Sequence, residues 1–290
     1  MAKKIFIIGA GGFIGGRLLE KFLQETSETI IGYTFSECNL LSTESINTSL
    51  SCAKGSDIVI VAASVTRLRE NSFNSMIKNI QMAENLSSFL MKNTVSHVIF
   101  LSTVDVYGLG TEGVILTEDI LPQPNDYYAT SKLVSEYLLR RSLSIKGIPL
   151  TILRLSGVYG PGDEGKSTIN ALVRSALTNG VITLHGDGSN KRDFIYVDDI
   201  YKIVLEAIHN KADITVNIAT GNSFSIKEIA EIIETVLDID VMIEFSTPKV
   251  SSDNRIKHMI YNIQRFRDFF PNINFIHIKD GIKLYLTCVK

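Results

Sequence analysis

Tyr128 and Lys132 stand four residues apart in the segment Tyr128-Ala129-Thr130-Ser131-Lys132, and Leu133, Tyr137 and Leu138 after it recur at helical spacing. Four residues is about one turn, so the two side chains leave the same helix face. A phenol exchanges protons poorly near neutral pH. An ammonium beside it favours the phenolate and is expected to lower its pKa. A third group, Thr103, closes the apolar run His97-Val98-Ile99-Phe100-Leu101-Ser102 and can bond the same substrate oxygen. These residue types suit proton transfer to and from a hydroxyl or ketone. A Tyr–Lys pair by itself is common on helix surfaces, so its weight comes from the residues upstream.

Those residues form an anion site. Lys3-Lys4-Ile5-Phe6-Ile7-Ile8 reads as a buried parallel strand, and Gly9-Ala10-Gly11-Gly12-Phe13-Ile14-Gly15 follows it directly. Leu18, Leu19, Phe22 and Leu23 then recur at helical spacing. Strand, glycine turn and helix start aim backbone N–H groups at a phosphate, and the missing side chains let it approach. The usual dinucleotide fingerprint asks for glycine at 9, 11 and 14. Position 14 is Ile, and Gly9, Gly12 and Gly15 give a glycine–two–glycine–two–glycine spacing instead.

The elements that must hold these groups alternate along the chain. Thr29–Thr34, Asp57–Ala63, His97–Thr103 and Leu150–Leu155 read as strands, with Ala62 and Ala63 small enough for a close approach. Helices are predicted over 72–93 and 127–146, the first from Met76, Ile77, Ile80, Ala83, Leu86 and Leu90. A loop rich in Gly and Pro runs from Gly108 to Asp126. This alternation predicts an α/β fold with a doubly wound parallel sheet. Beyond Gly157 the pattern loosens, with helices expected around 167–178, 198–209 and 225–237. Short strands are expected near 182–184, 193–196, 214–218 and 241–244.

Composition narrows the classes. With 290 residues, 45% apolar, 21% charged and a net charge of −2, the chain has the profile of a globular enzyme. It carries no Lys/Arg run to attract nucleic acid or an anionic membrane. Cys38, Cys52 and Cys288 show no metal-like spacing, and the five histidines are scattered, so no metal is expected. No run of about 20 apolar residues is present, so no membrane span is expected. A cytoplasmic location fits.

The ordered set Gly9–Gly15, Asp57–Ala63, Ser102-Thr103-Val104-Asp105-Val106-Tyr107-Gly108, Tyr128–Lys132, Val158-Tyr159-Gly160-Pro161-Gly162 and Arg192-Asp193-Phe194-Ile195-Tyr196-Val197-Asp198-Asp199 resembles an extended short-chain dehydrogenase/reductase of the NAD-dependent epimerase/dehydratase family, which acts on nucleotide sugars. The resemblance implies a Rossmann domain over 1–165, with 197–222 returning to it. It implies a smaller C-terminal α/β substrate domain from 166–196 and 223–290. It further implies hydride exchange between a nicotinamide and a sugar carbon, usually C4, with Tyr128 as acid/base. Lys132 would hold the nicotinamide ribose and tune Tyr128, and Thr103 would orient the sugar hydroxyl or ketone. Gly9, Gly12, Phe13, Ile14 and Gly15 would line the phosphates, Asn39-Leu40 the adenine, and Ala62 and Ala63 the phosphates and ribose. Arg192 would bind the substrate diphosphate, a role suited to a guanidinium, with Arg255 a second candidate. The two long helices carry apolar residues wider than one core-facing stripe, Met76, Leu86 and Phe89 on the first and Leu138, Leu139 and Leu143 on the second, so a homodimer that pairs them as a four-helix bundle is expected, and the family resemblance points the same way.

Departures from the family pattern set the subclass. Dehydratases resemble Thr-Asp-Glu or Thr-Ser-Glu where this chain has Thr103-Val104-Asp105, so dehydration is disfavoured and Asp105 remains a substrate contact. Gly157 replaces an Asn. Thr34 replaces an acid expected at the end of the second strand, and with Ser36 it can donate to a 2′-phosphate, while Arg17 is a nearby cation. Glu37 can take the acid's part if the strand runs further. The expectation is a reductase of a nucleotide-linked 4-keto-6-deoxyhexose for surface polysaccharide, preferring NADP and leaving NAD open. The alternatives are a nucleotide-sugar 4-epimerase with retained NAD, and a dinucleotide-sensing module without catalysis, which intact Tyr128 and Lys132 disfavour.

Overall fold

The apolar runs Ile5–Ile8 and Ile58–Val61 are buried along their length and rich in β-branched residues, which suits them to neighbouring places inside a parallel sheet. In the computed structural model, which describes residues 3–108, 110, 113–163, 167–246 and 258–289, the chain opens with β1 (Lys4–Ile8), α1 (Phe13–Glu25), β2 (Thr29–Tyr33), α2 (Thr43–Ser49), β3 (Ile58–Val61), α3 (Phe73–Lys92) and β4 (His97–Thr103). A 3₁₀ turn (Val104–Tyr107), β5 (Ile115–Leu116), α4 (Tyr127–Lys146), β6 (Leu150–Leu155), β7 (Gly157–Tyr159), α5 (Thr168–Asn179) and β8 (Val181–His185) follow. Then come β9 (Lys191–Tyr196), α6 (Val197–Asn210), β10 (Ile214–Ile218), β11 (Ser223–Ser225) and α7 (Ile226–Leu237). The last elements are β12 (Met242–Ser246), β13 (Ile260–Tyr261), α8 (Gln264–Phe269) and α9 (Ile278–Val289).

The central sheet has six strands in the order β10-β6-β4-β3-β1-β2. β1 pairs in parallel with β2 and β3, β3 with β4, and β4 with β6. The doubly wound α/β reading therefore holds. Register brings Ile8 opposite Val61, Val61 opposite Phe100, and Thr103 opposite Leu155. The Gly9 turn, Ala62-Ala63 and Thr103 thus leave the sheet along one carboxyl edge, where such sheets bind ligands.

Two compact units are formed. The first contains residues 1–108, 121–155 and 200–216, and the second contains 109–120, 156–199 and 217–290. In the first, Phe6, Ile8, Val59, Val61, Val98, Phe100 and Ile152 share one core with Leu86, Phe89 and Leu90 of α3 and with Leu139 and Leu143 of α4. Four of the side chains expected as surplus for an interface (Leu86, Phe89, Leu139 and Leu143) are consumed by this core, because α3 and α4 pack on the sheet through them. The exposed apolar residues of those helices are Phe73, Ile77, Tyr127, Tyr137 and Ile145.

In the second unit, β9 sits between β7 and β11, and β8 pairs with β12. Its core joins Ile169, Val173 and Ala176 of α5 to Ile229, Ala230 and Ile233 of α7 and to Tyr159, Phe194 and Tyr196. β5, β7, β11 and β13 have two or three residues each, too few to show an alternation, and were not expected. Neither were α2, α8 and α9. Gly157, which stands where the family has an Asn, pairs with Phe194. A Cβ there would lie 2.9 Å from the Phe194 ring, so the packing of β7 on β9 leaves no room for a larger residue.

Candidate active site

Gly9 links β1 to α1 at φ +96, and a Cβ on it would lie 2.6 Å from the Ala63 nitrogen. Gly15 is as tightly placed, since its Cβ would lie 2.2 Å from the Gly9 carbonyl. Both glycines are required by packing of the turn against β3 and α1. Gly12 differs: it is the N-cap of α1, without a side-chain cap and without an acidic residue in the first turn. The amides of Phe13 and Ile14 at that end, together with the helix dipole, form an anion cradle. Gly9 and Ala10 also donate to the Tyr33 carbonyl, both at 2.9 Å, which ties the turn to the end of β2. These residues fit a dinucleotide pyrophosphate.

β2 ends at Tyr33, and the residues beyond it turn back. The Glu37 Oε2 accepts from the Thr34 amide at 2.8 Å and from the Thr34 hydroxyl at 2.7 Å. Thr34 Oγ1 lies 3.0 Å from Ser36 Oγ. The two hydrogen bonds, the backbone one foremost, hold the Glu37 carboxyl below its ordinary pKa. A carboxylate therefore stands at the tip of β2, although the strand itself ends early. The hydroxyl donor of Thr34, expected to serve a 2′-phosphate, is engaged by that carboxylate, and Arg17 pairs with Glu20 at 2.7 Å. Asn39 donates its amide to Ser45 Oγ and accepts from the Leu41 amide. Leu40 is buried, and its carbonyl accepts from Asn85 Nδ2 at 2.8 Å.

Thr103 ends β4 and caps the 3₁₀ turn, accepting from the Asp105 amide at 3.1 Å. Asp126 caps α4 through the Ala129 amide at 2.7 Å, and Gly147 in the left-handed conformation ends it. Between those caps α4 carries Tyr128 and Lys132 on one face, as their spacing requires. Tyr128 is half-buried. Burial first, and then the Asp105 carboxylate, hold its phenol above the ordinary value, while Arg67 and a hydrogen bond with Ser64 oppose them. The expected depression of the Tyr128 pKa is thus reversed.

Lys132 is fully buried, its Nζ donating to the Leu101 carbonyl at 2.5 Å and lying 4.0 Å from the centre of the Phe100 ring. Burial pulls the amine down to about 7, with Glu136 opposing. Asp105, offered as a substrate contact, is ion-paired with Arg67 at 3.0 Å. Asn79 spans the site wall, bonding both backbone groups of Val65 and donating to Ser131 Oγ at 3.0 Å.

In the second unit, Arg192 lies on β9 opposite Phe224, half-buried, with Nη1 donating to the Lys191 carbonyl at 2.9 Å. Arg255 lies outside the described residues. Among the described residues no group of three or more His, Cys, Asp or Glu side chains could hold a metal ion, and no helix is long and apolar enough to cross a membrane.

Sequence reasoning missed a buried cluster behind this face. Glu136 on α4 accepts from Ser102 Oγ at 2.5 Å and from Arg154 Nη2 at 2.7 Å, and the Arg154 Nε reaches both of its oxygens. Arg154 Nη1 donates to the Tyr107 hydroxyl at 2.8 Å. An arginine inside the run Leu150–Leu155 was the available signal, because a charge in a buried strand needs a partner.

A strand–glycine turn–helix cradle beside a Thr, Tyr and Lys constellation defines a nucleotide-dependent oxidoreductase type of α/β fold. The model of the NAD dependent epimerase/dehydratase family matches residues 5–219, more than half of the chain, and the chain belongs to that family. It is 27% identical over 274 residues to an uncharacterized UDP-glucose epimerase of Bacillus subtilis, covering 84% of this chain and 85% of that one. It is also 27% identical over 237 residues to a GDP-6-deoxy-D-talose 4-dehydrogenase of Aggregatibacter actinomycetemcomitans, covering 79% of each. Among solved structures, the UDP-glucose 4-epimerase of Thermotoga maritima, solved with UDP-glucose, matches with a TM-score of 0.85 at 22% identity, covering 99% of this chain and 98% of that one.

Proposed function

We propose that the protein exchanges a hydride at C4 of a nucleotide-linked sugar, with Tyr128 as the proton-transferring group, and that its reaction is reduction of an NDP-4-keto-6-deoxyhexose. The observation that carries this reading is the placing of Thr103 at the end of β4 together with Tyr128 and Lys132 on one face of α4. Tyr128 gives its proton to the ketone oxygen, and its raised pKa keeps it in the protonated form that a reduction needs. Thr103 donates a hydrogen bond to the same oxygen. Lys132 holds the nicotinamide ribose, and the first amides of α1 hold the pyrophosphate. A bound nicotinamide cofactor supplies the hydride. Arg192 contributes the cation for the substrate diphosphate. Water loss is not supported, because Val104 cannot donate a proton and Asp105 is held by Arg67.

One observation favours a second reading, epimerisation at C4. Glu37 folded onto Thr34 repels a 2′-phosphate and suits the two ribose hydroxyls of NAD. We therefore take NAD(H) rather than NADP(H) as the cofactor, and retained NAD is what an epimerase needs. The relatives named above include both an epimerase and a 4-dehydrogenase. The test is to purify the protein, release and identify any bound nucleotide, and follow UDP-glucose and an NDP-4-keto-6-deoxyhexose by proton NMR. Stoichiometric NADH consumption with the keto sugar supports the reductase. Interconversion of UDP-glucose and UDP-galactose without net cofactor turnover supports the epimerase. Inertness of both, with no nicotinamide binding, would sink both readings.

A further inference from the structure

Lys132, Glu136, Arg154, Tyr107 and Ser102 are all buried. They come from four elements: α4, β6, the 3₁₀ turn and β4. Glu136 follows Lys132 by one turn on α4. Its carboxylate accepts a fork of bonds from Arg154 and one from Ser102, the residue immediately before Thr103. The Arg154 guanidinium continues to the Tyr107 hydroxyl and lies 5.1 Å from the centre of that ring. Tyr107 in turn ends the 3₁₀ turn that Thr103 begins. Both ends of the Thr103 segment are therefore fastened to one carboxylate, and that carboxylate shares a helix face with Lys132.

We propose that Glu136 is a positioning residue of the active site: through Ser102 and the Arg154–Tyr107 arm it fixes the segment carrying Thr103, and it supplies the counter-charge for Lys132. A buried pair of this kind adds little to stability relative to apolar residues of the same shape, so its value lies in the geometry and field it imposes. Lys132 meets the Phe100 ring and the Leu101 carbonyl of β4 and lines one pocket with Ser64 and Asn79, and Glu136, one turn along its own helix, is the charged group that acts on it. Arg154 and Tyr107 reach it through Glu136. Asp105, Arg67 and Asp126 act on Tyr128 instead. Removal of the Glu136 charge leaves burial unopposed at Lys132, and the amine loses its proton more easily.

This inference rests on the proposed roles of Tyr128 and Lys132, but its principal readout does not. The full chain is labelled with ¹³C at the lysine ε-carbons, and the Lys132 resonance is assigned by its loss in Lys132→Met. Its pH titration is compared between wild type and Glu136→Gln, with NADH fluorescence used to measure affinity from pH 6 to 9. We expect Glu136→Gln to lower the Lys132 midpoint by about one pH unit or more, a roughly tenfold weaker hold on the proton. NADH affinity should fall earlier on the alkaline side by the same interval. A purely structural Glu136 would weaken NADH equally at every pH and leave the midpoint in place, and that result overturns the proposal. If Glu136→Gln does not fold, the double variant Glu136→Gln/Arg154→Met removes both charges, and a Lys132 midpoint there at or above the wild-type value overturns it equally. A shifted midpoint in a protein whose Tyr128→Phe variant keeps full turnover would instead sink the catalytic reading and leave the positioning role standing.

Discussion

At the scale of single residues, three side chains put the proposed chemistry and cofactor to the test. Tyr128→Phe is expected to cut turnover by about 10²–10⁴-fold, the usual contribution of positioned proton transfer, while leaving NADH affinity close to wild type. Lys132→Met should damage both, and steady-state kinetics with a fluorescence binding assay separates the two. The third residue is Glu37. Because its carboxylate takes both donors of Thr34, wild type should prefer NADH to NADPH, and Glu37→Ala should erode that preference by about ten- to hundredfold, the worth of one or two charged hydrogen bonds. The ratio of kcat/KM for the two reduced cofactors is the measurement, and an NADPH preference in wild type would show that the fold-back opens on binding. The identity of Glu37 was visible in the sequence, but its place was not. An acid four residues past the strand acts at the strand tip only because the chain turns back there, and a strand-end rule cannot see a turn.

At the scale of elements, β4 carries a charge problem at its other end. His97 is fully buried and its Nε2 lies 2.8 Å from Thr151 Oγ1. Thr151 already donates to the Ala212 carbonyl, so the ring must donate from Nε2, which leaves the bare Nδ1 without a partner. Burial, with Lys211 next, pulls the imidazole down to about 4 from 6.5. The folded chain therefore resists a proton that the unfolded chain accepts. Stability from this group is whole above pH 6.5 and is lost as the pH falls toward 4, by on the order of 3 kcal/mol over that window. Urea unfolding of wild type and His97→Phe between pH 4 and 8 checks this, and the acid limb should flatten in the variant. The strands and helices that position the site were legible because their burial is complete or their caps are strong: Asp126 and Gly147 bracket α4 in the sequence itself. The Glu136–Arg154 pair was not legible, since its partners lie on different elements and only the sheet brings them together.

At the scale of the whole molecule, the exposed apolar residues on α3 and α4 remain to be accounted for. Phe73 and Tyr127 stack edge to face at 6.5 Å, and Ile77 and Tyr137 lie bare on the same two helices. We propose a homodimer through this surface rather than through Leu86, Phe89, Leu139 and Leu143, which the core has used. Light scattering should give twice the chain mass at micromolar concentration, and Ile77→Lys with Tyr137→Glu should halve it without lowering secondary structure. The sheet order has a further meaning for how the protein is made. β6 is buried along its whole length, yet the strand that covers its outer side, β10, begins only at Ile214. On a ribosome the chain must therefore wait, with an apolar strand edge open, while about sixty more residues emerge, and an unpaired edge of that kind is where chains stick to one another. The second unit is largely encoded within and after that interval, so the glycine turn after β1, although first in the sequence, belongs to a sheet that is completed late in synthesis.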